Sequence, residues 1–375
     1  MDLGISEDQQ AIQELARRIL LDRVTHEHLA GLESASWSVF DRHLWGQLAA
    51  AGLTGIAIPE EHGGAGRSFL ELAVVLEEVG RAVAPVPAVA TLALGAMPIA
   101  RFGSAELAAR LLPGVADGSL ILTAALAEPG EIDPLVPSTT AARSGAGWTL
   151  NGEKAFVPYG DLADWIVVSA TAAGSGPALF VVPRTAVGLR FTELHTTNRE
   201  PQASLELQGV EVPDADVLAG PLVGQDALRL LVLHGTAALC CVAAGVCQRA
   251  LEMTAEYTAK REQFGKPIAS FQAVGQRAAD AYIDTQIVRL TAVQAAWRLS
   301  VGWPAADEVA VAKFWAGDGG SRVVHAAQHL HGGLGVDLDY PLHRYFLWIK
   351  QIEHELGSPT RQLATLGAAL AAAPV

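Results

Sequence analysis

Two histidines four residues apart, His325 and His329, could share one helix face, a spacing that suits a metal. Ala326 follows His325 where a metalloprotease would need Glu, so that chemistry is missing. Two hydrogen-bonding histidines near a helix end is the favoured reading, and no metal site is expected. His26 and His28 lie in a charged, exposed stretch and carry no signal. Cys240, Cys241 and Cys247 form no Cys-x-x-Cys pair and share one apolar run, so a reducing compartment such as the cytoplasm fits them best. No G-x-G-x-x-G follows a strand, and Gly265-Lys266 lacks the upstream glycine and the Ser/Thr of a phosphate-binding loop. No G-x-S-x-G nucleophile turn occurs. Among other acid–base groups, Glu353, Glu355, His354 and His234 are open to consideration.

Three regions of different period must position these groups. From about residue 6 to 118 the pattern is helical. Ser6 suits an N-cap, Ile12, Leu15, Ala16 and Ile19 follow at helical spacing, and further helical patterns cover 40–51, 68–83, 88–102 and 105–117. A glycine-rich loop at 59–66 and the run Pro85-Val86-Pro87 interrupt them. From 119 to about 212 the period shortens. An apolar run at 120–126 precedes strand patterns at 148–150, 165–169, 178–182 and 205–210, with no long helix between them, which predicts a mostly antiparallel β domain. Helical patterns return at 225–260, 271–301, 305–331 and 340–355, and the Ala-rich tail from Gly367 is expected to fray. The fold class is therefore α+β and multi-domain: an N-terminal helical domain (1–118), a middle antiparallel β domain (119–222) and a C-terminal four-helix-bundle domain (223–375).

Half of the 375 residues are hydrophobic and only 18% are charged, which excludes a disordered chain. A formal net charge of −14 argues against nucleic-acid binding. The start MDLGISEDQQ has no basic stretch followed by an apolar block, so no secretory signal is expected. Residues 230–248 carry no charge and are just long enough to span a bilayer. They include His234, Thr236 and the three cysteines, with no aromatic belt, so a buried helix rather than a membrane span is expected.

Four segments carry a resemblance. The run 257–268, Tyr-Thr-Ala-Lys-Arg-Glu-Gln-Phe-Gly-Lys-Pro-Ile, followed by Phe271-Gln272, resembles the flavin-contacting signature of the acyl-CoA dehydrogenase family. Ala125-Leu126-Ala127-Glu128-Pro129-Gly130 resembles that family's entry into its β domain. Ile58-Pro59-Glu60-Glu61-His62-Gly63-Gly64 resembles its N-terminal loop, and His331-Gly332-Gly333-Leu334-Gly335 with Tyr340-Pro341 resembles its C-terminal segment. The four occur in the family's order and span nearly the whole chain. The resemblance implies FAD as cofactor, a tetramer, and α,β-dehydrogenation of an acyl-CoA thioester. A carboxylate then removes the α-proton while the β-hydrogen leaves as hydride, and exclusion of water raises the pKa of that base. It also implies that Arg261, Phe264, Gln272, His329, Gly332 and Gly333 contact flavin, with His329 standing where the family commonly has Gln.

The departures carry as much information. Counting without gaps from Tyr340-Pro341, the family's usual base position falls on Leu356. The alternative, on the long helix before the arginine signature, falls on Gly235. Neither residue takes a proton. Glu355 and Glu353 lie close by, but one residue along a helix turns a side chain by about 100°. Glu131-Ile132-Asp133-Pro134 stands where Gly-Ser-Asp is common, and Phe156-Val157-Pro158 where the family commonly has Trp-Ile-Thr against the flavin ring. The family's CoA-binding Ser and Arg are replaced by Ile132 and Thr236.

The chain thus keeps what it would give to a neighbour's flavin and has lost much of what would hold its own. It resembles the base-less subunit of the heterotetrameric acyl-CoA dehydrogenases of actinobacterial steroid and lipid catabolism. A homologous base-bearing subunit is the expected partner. The competing readings are a self-sufficient dehydrogenase using Glu355 or Glu353, a flavin monooxygenase using His354 or His234, and a non-catalytic subunit.

Overall fold

The computed structural model describes residues 4–131, 133–145 and 147–372. Helices α1 (Glu7–Arg23), α2 (His26–Ala35), α3 (Arg42–Ala50), α4 (Phe69–Ala82), α5 (Met97–Phe102) and α6 (Ala105–Ala116) come first. Strands β1 (Leu122–Ala125), β2 (Thr140–Ser144), β3 (Gly147–Pro158), β4 (Trp165–Ala172), β5 (Gly176–Pro183), β6 (Leu189–His195), β7 (Pro201–Pro213) and β8 (Val217–Ala219) follow. The rest is α7 (Gly224–Lys260), a short hairpin of β9 (Glu262–Gln263) and β10 (Lys266–Pro267), then α8 (Gln272–Ser300), α9 (Ala306–His331), α10 (Leu342–His354) and α11 (Pro359–Ala372). The expected order of helices, β-sheet and helices is observed. Polar caps start several helices: Ser6 and Gln9 form a reciprocal capping box on α1, and Asp41 and Ser104 accept from backbone N–H groups of α3 and α6.

The chain divides into two compact units: the described parts of Met1–Ala30, Ala73–Ala84 and Thr236–Val375 form one, and Gly31–Leu72 with Pro85–Gly235 form the other. In the second unit the strands run in the order β6-β7-β3-β2-β4-β5-β8, with β1 also paired to β4. Neighbours are antiparallel except that β1 and β2 both run parallel to β4. The core between the strands includes Ile121, Leu150, Val157, Ile166, Val168, Phe180, Val182, Leu205 and Leu207. The single helix expected over 88–102 is instead a π-helix, Val89–Ala96, running into α5. The wide turn lets Thr91 Oγ1 donate to the Leu122 carbonyl (3.0 Å) and accept from its N–H (3.3 Å), which docks β1.

The first unit is built on α7 to α11. The five-residue link from α8 to α9 makes those two helices antiparallel neighbours. The residues of α4 in this unit cross α7 at two glycines. A Cβ on Gly80 would overlap the Val242 carbonyl, and one on Gly245 the Glu77 carbonyl. Ion pairs Arg17–Glu78 (2.7 Å), Arg81–Glu252 (2.5 Å) and Arg289–Glu77 (2.9 Å) flank the crossing. α7 is long and apolar enough to cross a membrane, but 78% of its apolar window is buried inside the molecule. A further helix that the pattern did not mark, α11, runs to Ala372.

Candidate functional site

At the end of α7, the N–H of Arg261 donates to the Tyr257 carbonyl, and the Arg261 carbonyl accepts from the N–H of Ile268. The β9–β10 hairpin is closed between these points. Its two-residue loop, Phe264-Gly265, has φ of 54° and 77°, the left-handed pair of a tight twisted hairpin. That conformation is costly for an aromatic residue, and the Phe264 ring is 92% exposed, edge-on to Phe271 at 6.2 Å. The Arg261 guanidinium is exposed and has no carboxylate partner among the described residues, Glu262 included. α8 begins immediately afterwards with no side chain capping its N-terminus, and exposed Gln272 is its first residue. A helix start with free N–H groups favours an anion.

The end of α9 lies beside this segment. The His331 ring stacks on Tyr257 with centroids 4.4 Å apart, its Nδ1 bonds the Ala327 carbonyl at 2.8 Å and its Nε2 meets the Tyr340 hydroxyl at 3.2 Å. Burial lowers the His331 pKa. This buried stack joins the two helix ends. Past it the chain turns through Gly332, whose φ of 63° and ψ of −140° suit glycine alone. His329, Gly332 and Gly333 are all exposed. Arg261, Phe264, Gln272, His329, Gly332 and Gly333 thus belong to one unit and all face outward.

The sheet residues differ. Pro158 is buried beside its register partner Gln202, whose Oε1 is buried with no hydrogen-bond partner among the described residues. Phe156 sits at a bulge with φ of 52° and points to solvent. Lys154, fully buried, meets Glu128 at 2.6 Å and donates to Ser169 at 3.0 Å. Glu128 also accepts from the N–H and hydroxyl of Ser138 (both 2.5 Å) and from the N–H of Thr139 (2.9 Å). Burial alone would raise the Glu128 pKa, but the Lys154 charge and these donors outweigh it and hold the carboxyl at about 2. The pair clasps both ends of the 129–137 loop. Glu131 and Asp133 lie on that loop; Ile132 falls outside the described residues.

Of the base positions, Gly235 is buried within α7, and Leu356 lies between α10 and α11 with φ of 51°. Glu353, on the last turn of α10, is held by Lys350 at 2.5 Å. Glu355 follows the helix, its N–H donating to the Gln351 carbonyl. Among the described residues no group of His, Cys, Asp and Glu is placed to hold a metal, and His325 Nδ1 bonds the Ser321 carbonyl (2.7 Å). The sequence reading missed Lys154, Lys313 and the Tyr257–His331 stack. Their partners lie far away in the sequence, so no local spacing marks them.

The order of helical, β and helical regions defines an α+β multi-domain architecture. The acyl-CoA dehydrogenase N-terminal domain matches residues 6–119, the middle domain 123–210 and the C-terminal domain 226–371, so the chain belongs to the acyl-CoA dehydrogenase family. It is an oxidoreductase of the type acting on CH–CH donors, with FAD as cofactor. Acyl-CoA dehydrogenase FadE27 of Mycobacterium tuberculosis is 42% identical over 383 residues, covering all of both chains. The ChsE4-ChsE5 complex of M. tuberculosis contains a chain with a TM-score of 0.94 and 42% identity, again over all of both chains. A variant of the Tcur3481-Tcur3483 steroid ACAD has a TM-score of 0.91 and 44% identity, over 98% of this chain and 99% of its own.

The residues fit one part of FAD better than the rest. The unpaired Arg261 guanidinium, the uncapped α8 start and the exposed Phe264 ring suit a diphosphate and an aromatic base. Pro158 offers no N–H, and the acceptor beside it, Gln202 Oε1, is the kind of group a ring N–H would satisfy.

Proposed function

We propose that this chain is the base-less subunit of a mixed acyl-CoA dehydrogenase tetramer, working with a homologous base-bearing subunit on a steroid-linked acyl-CoA. The observation that carries the reading is a contrast. Six groups suited to a partner's cofactor face outward on one unit, whereas Leu356 and Gly235 occupy the base positions and Pro158 the flavin-ring position. The names of similar assemblies, a ChsE4-ChsE5 complex and a steroid ACAD, agree with a two-chain enzyme and supply the substrate class. The proposal keeps three domains, at 1–118, 119–222 and 223–375, and a cytoplasmic location.

In this reading Arg261 would make forked hydrogen bonds to the cofactor diphosphate, the α8 N-terminus would favour the same charge, and Phe264 would offer an aromatic face to the cofactor. Gln272 and His329 supply polar contacts, and Gly332-Gly333 allow close backbone approach. FAD, when bound, takes the β-hydrogen of the substrate as hydride. The α-proton would go to a carboxylate of the partner, since Leu356 and Gly235 at the base positions here take no proton.

Dye reduction with an acyl-CoA panel tests this. The chain alone should turn over about 10²–10⁴-fold more slowly than its mixture with the base-bearing homologue, the usual cost of a missing general base. Ordinary family turnover by the chain alone overturns the proposal.

A further inference from the structure

Lys313, on α9, is fully buried, yet its three N–H donors go to backbone rather than to a carboxylate. Nζ donates to the carbonyls of Ile352 (2.7 Å), Gly357 (2.8 Å) and Glu353 (3.3 Å). Two of these belong to the last turn of α10, whose carbonyls have no partner within the helix. The third lies beyond, in the loop to α11. One cation therefore caps α10 and closes the loop that follows.

That loop has an unusual path. Leu356 has φ of 51° and Gly357 φ of 106°. The left-handed region is unfavourable for leucine and persists where the surroundings over-determine it. Gln362 Nε2 donates to the Leu356 carbonyl at 3.3 Å. One turn after Lys313, a Cβ on Gly317 would crowd the Pro359 ring, so α9 lies close against the start of α11 as well.

We propose that Lys313 is a positioning residue, which sets the path of the α10–α11 loop and so the direction in which residue 356 is presented. The functional weight of position 356 rests on the reading above; the positioning itself does not.

The charged and titratable groups facing Lys313 are Cys240 on α7, Glu353 on α10 and Glu355 in the loop. Burial pushes the Cys240 thiol up to about 12, so it stays neutral. Burial also lowers the Lys313 pKa to about 8, against the pull of the two carboxylates. An exposed lysine titrates near 10.5, so the opened loop binds the proton more tightly than the closed one, and raising the pH through about 8 favours the closed loop.

Hydrogen exchange on the full chain, followed by mass spectrometry at about pH 7 and about pH 9 and corrected for intrinsic rates, tests this. In Lys313→Met, exchange across 352–358 should rise about tenfold or more, with α7 and α8 unchanged. In the wild type the protection of the loop should rise between the two pH values. In Lys313→Arg, which stays charged throughout, the loop should remain protected and that step should vanish. Unchanged loop protection in a folded Lys313→Met chain overturns the proposal. So does a uniform rise across all helices, or a pH step that persists in Lys313→Arg. The last outcome stands even if Lys313→Met fails to fold. None of these outcomes bears on the dye-reduction test.

Discussion

Arg261 and Glu128 show how differently two charged residues in one chain can be used. Arg261 faces solvent with no carboxylate partner among the described residues, next to a helix start that no side chain caps. Arg261→Ala should lower flavin occupancy of the assembled oligomer while the chain's helical circular dichroism stays unchanged. Unaltered occupancy and flavin affinity would remove its assigned role. Glu128 is the opposite case, buried against Lys154 and satisfied by Ser138 and Thr139. Its folded pKa of about 2 lies below the ordinary value of 4.5. The unfolded state therefore binds the proton more readily, and the stabilisation is complete above about pH 4.5 and is lost as pH falls towards 2. Glu128→Gln leaves Lys154 buried without its counter-charge and should cost about 3–5 kcal/mol at neutral pH. It should also flatten the loss of urea midpoint on acidification. An acid profile identical to the wild type would show that Glu128 is not ionised in the fold.

Elements in this chain pack closely where side chains are absent. At the α4–α7 crossing Gly245 meets the Glu77 carbonyl and Gly80 the Val242 carbonyl, and neither leaves room for a methyl group. Because the obstacle is backbone rather than a mobile side chain, Gly245→Ala should cost about 3 kcal/mol, read as a lower denaturant midpoint. Gly275→Ala, where nothing crowds the added atom, should be neutral or stabilising by helix propensity. Equal midpoints for the two variants would contradict the crossing. The long helices were legible in the sequence, α7 by its uncharged apolar run and α9 by apolar residues recurring at helical spacing. Strands β2 and β6 were not: most of their residues are exposed, so no alternation betrays them. The π-helix at Val89–Ala96 has the composition of an ordinary buried helix, and only the reach of Thr91 to Leu122 gives the wide turn a use. In the site, Arg261, Phe264 and Gly332 were readable from local motifs. Lys313 was not, because its partners are carbonyls 39 to 44 residues away, and carbonyls leave no mark in a sequence.

Apolar side chains are exposed on two helices of one unit. On α8, Tyr282, Ile283 and Leu290 are exposed, and on α11 Leu363 and Leu370 lie one heptad apart and exposed. The outward groups around Arg261 lie on the same unit. A net charge of −14 opposes self-association of identical chains at low salt, whereas a partner differing in charge would relieve it. The expected assembly is a mixed tetramer in which flavin occupies fewer sites than there are chains. On the proposed reading, flavin would be held where this chain supplies Arg261 and Phe264 and the partner the ring contacts that Pro158 lacks. Light scattering on size-exclusion fractions gives the mass of the assembly, and flavin absorbance per chain gives the occupancy. The mixed sample should show a tetramer with flavin substoichiometric to chains, and the chain alone should retain little flavin after gel filtration. One firmly held flavin per chain in a homotetramer would mean that Pro158 and the 129–137 loop still cradle the ring, and the self-sufficient reading would replace this one.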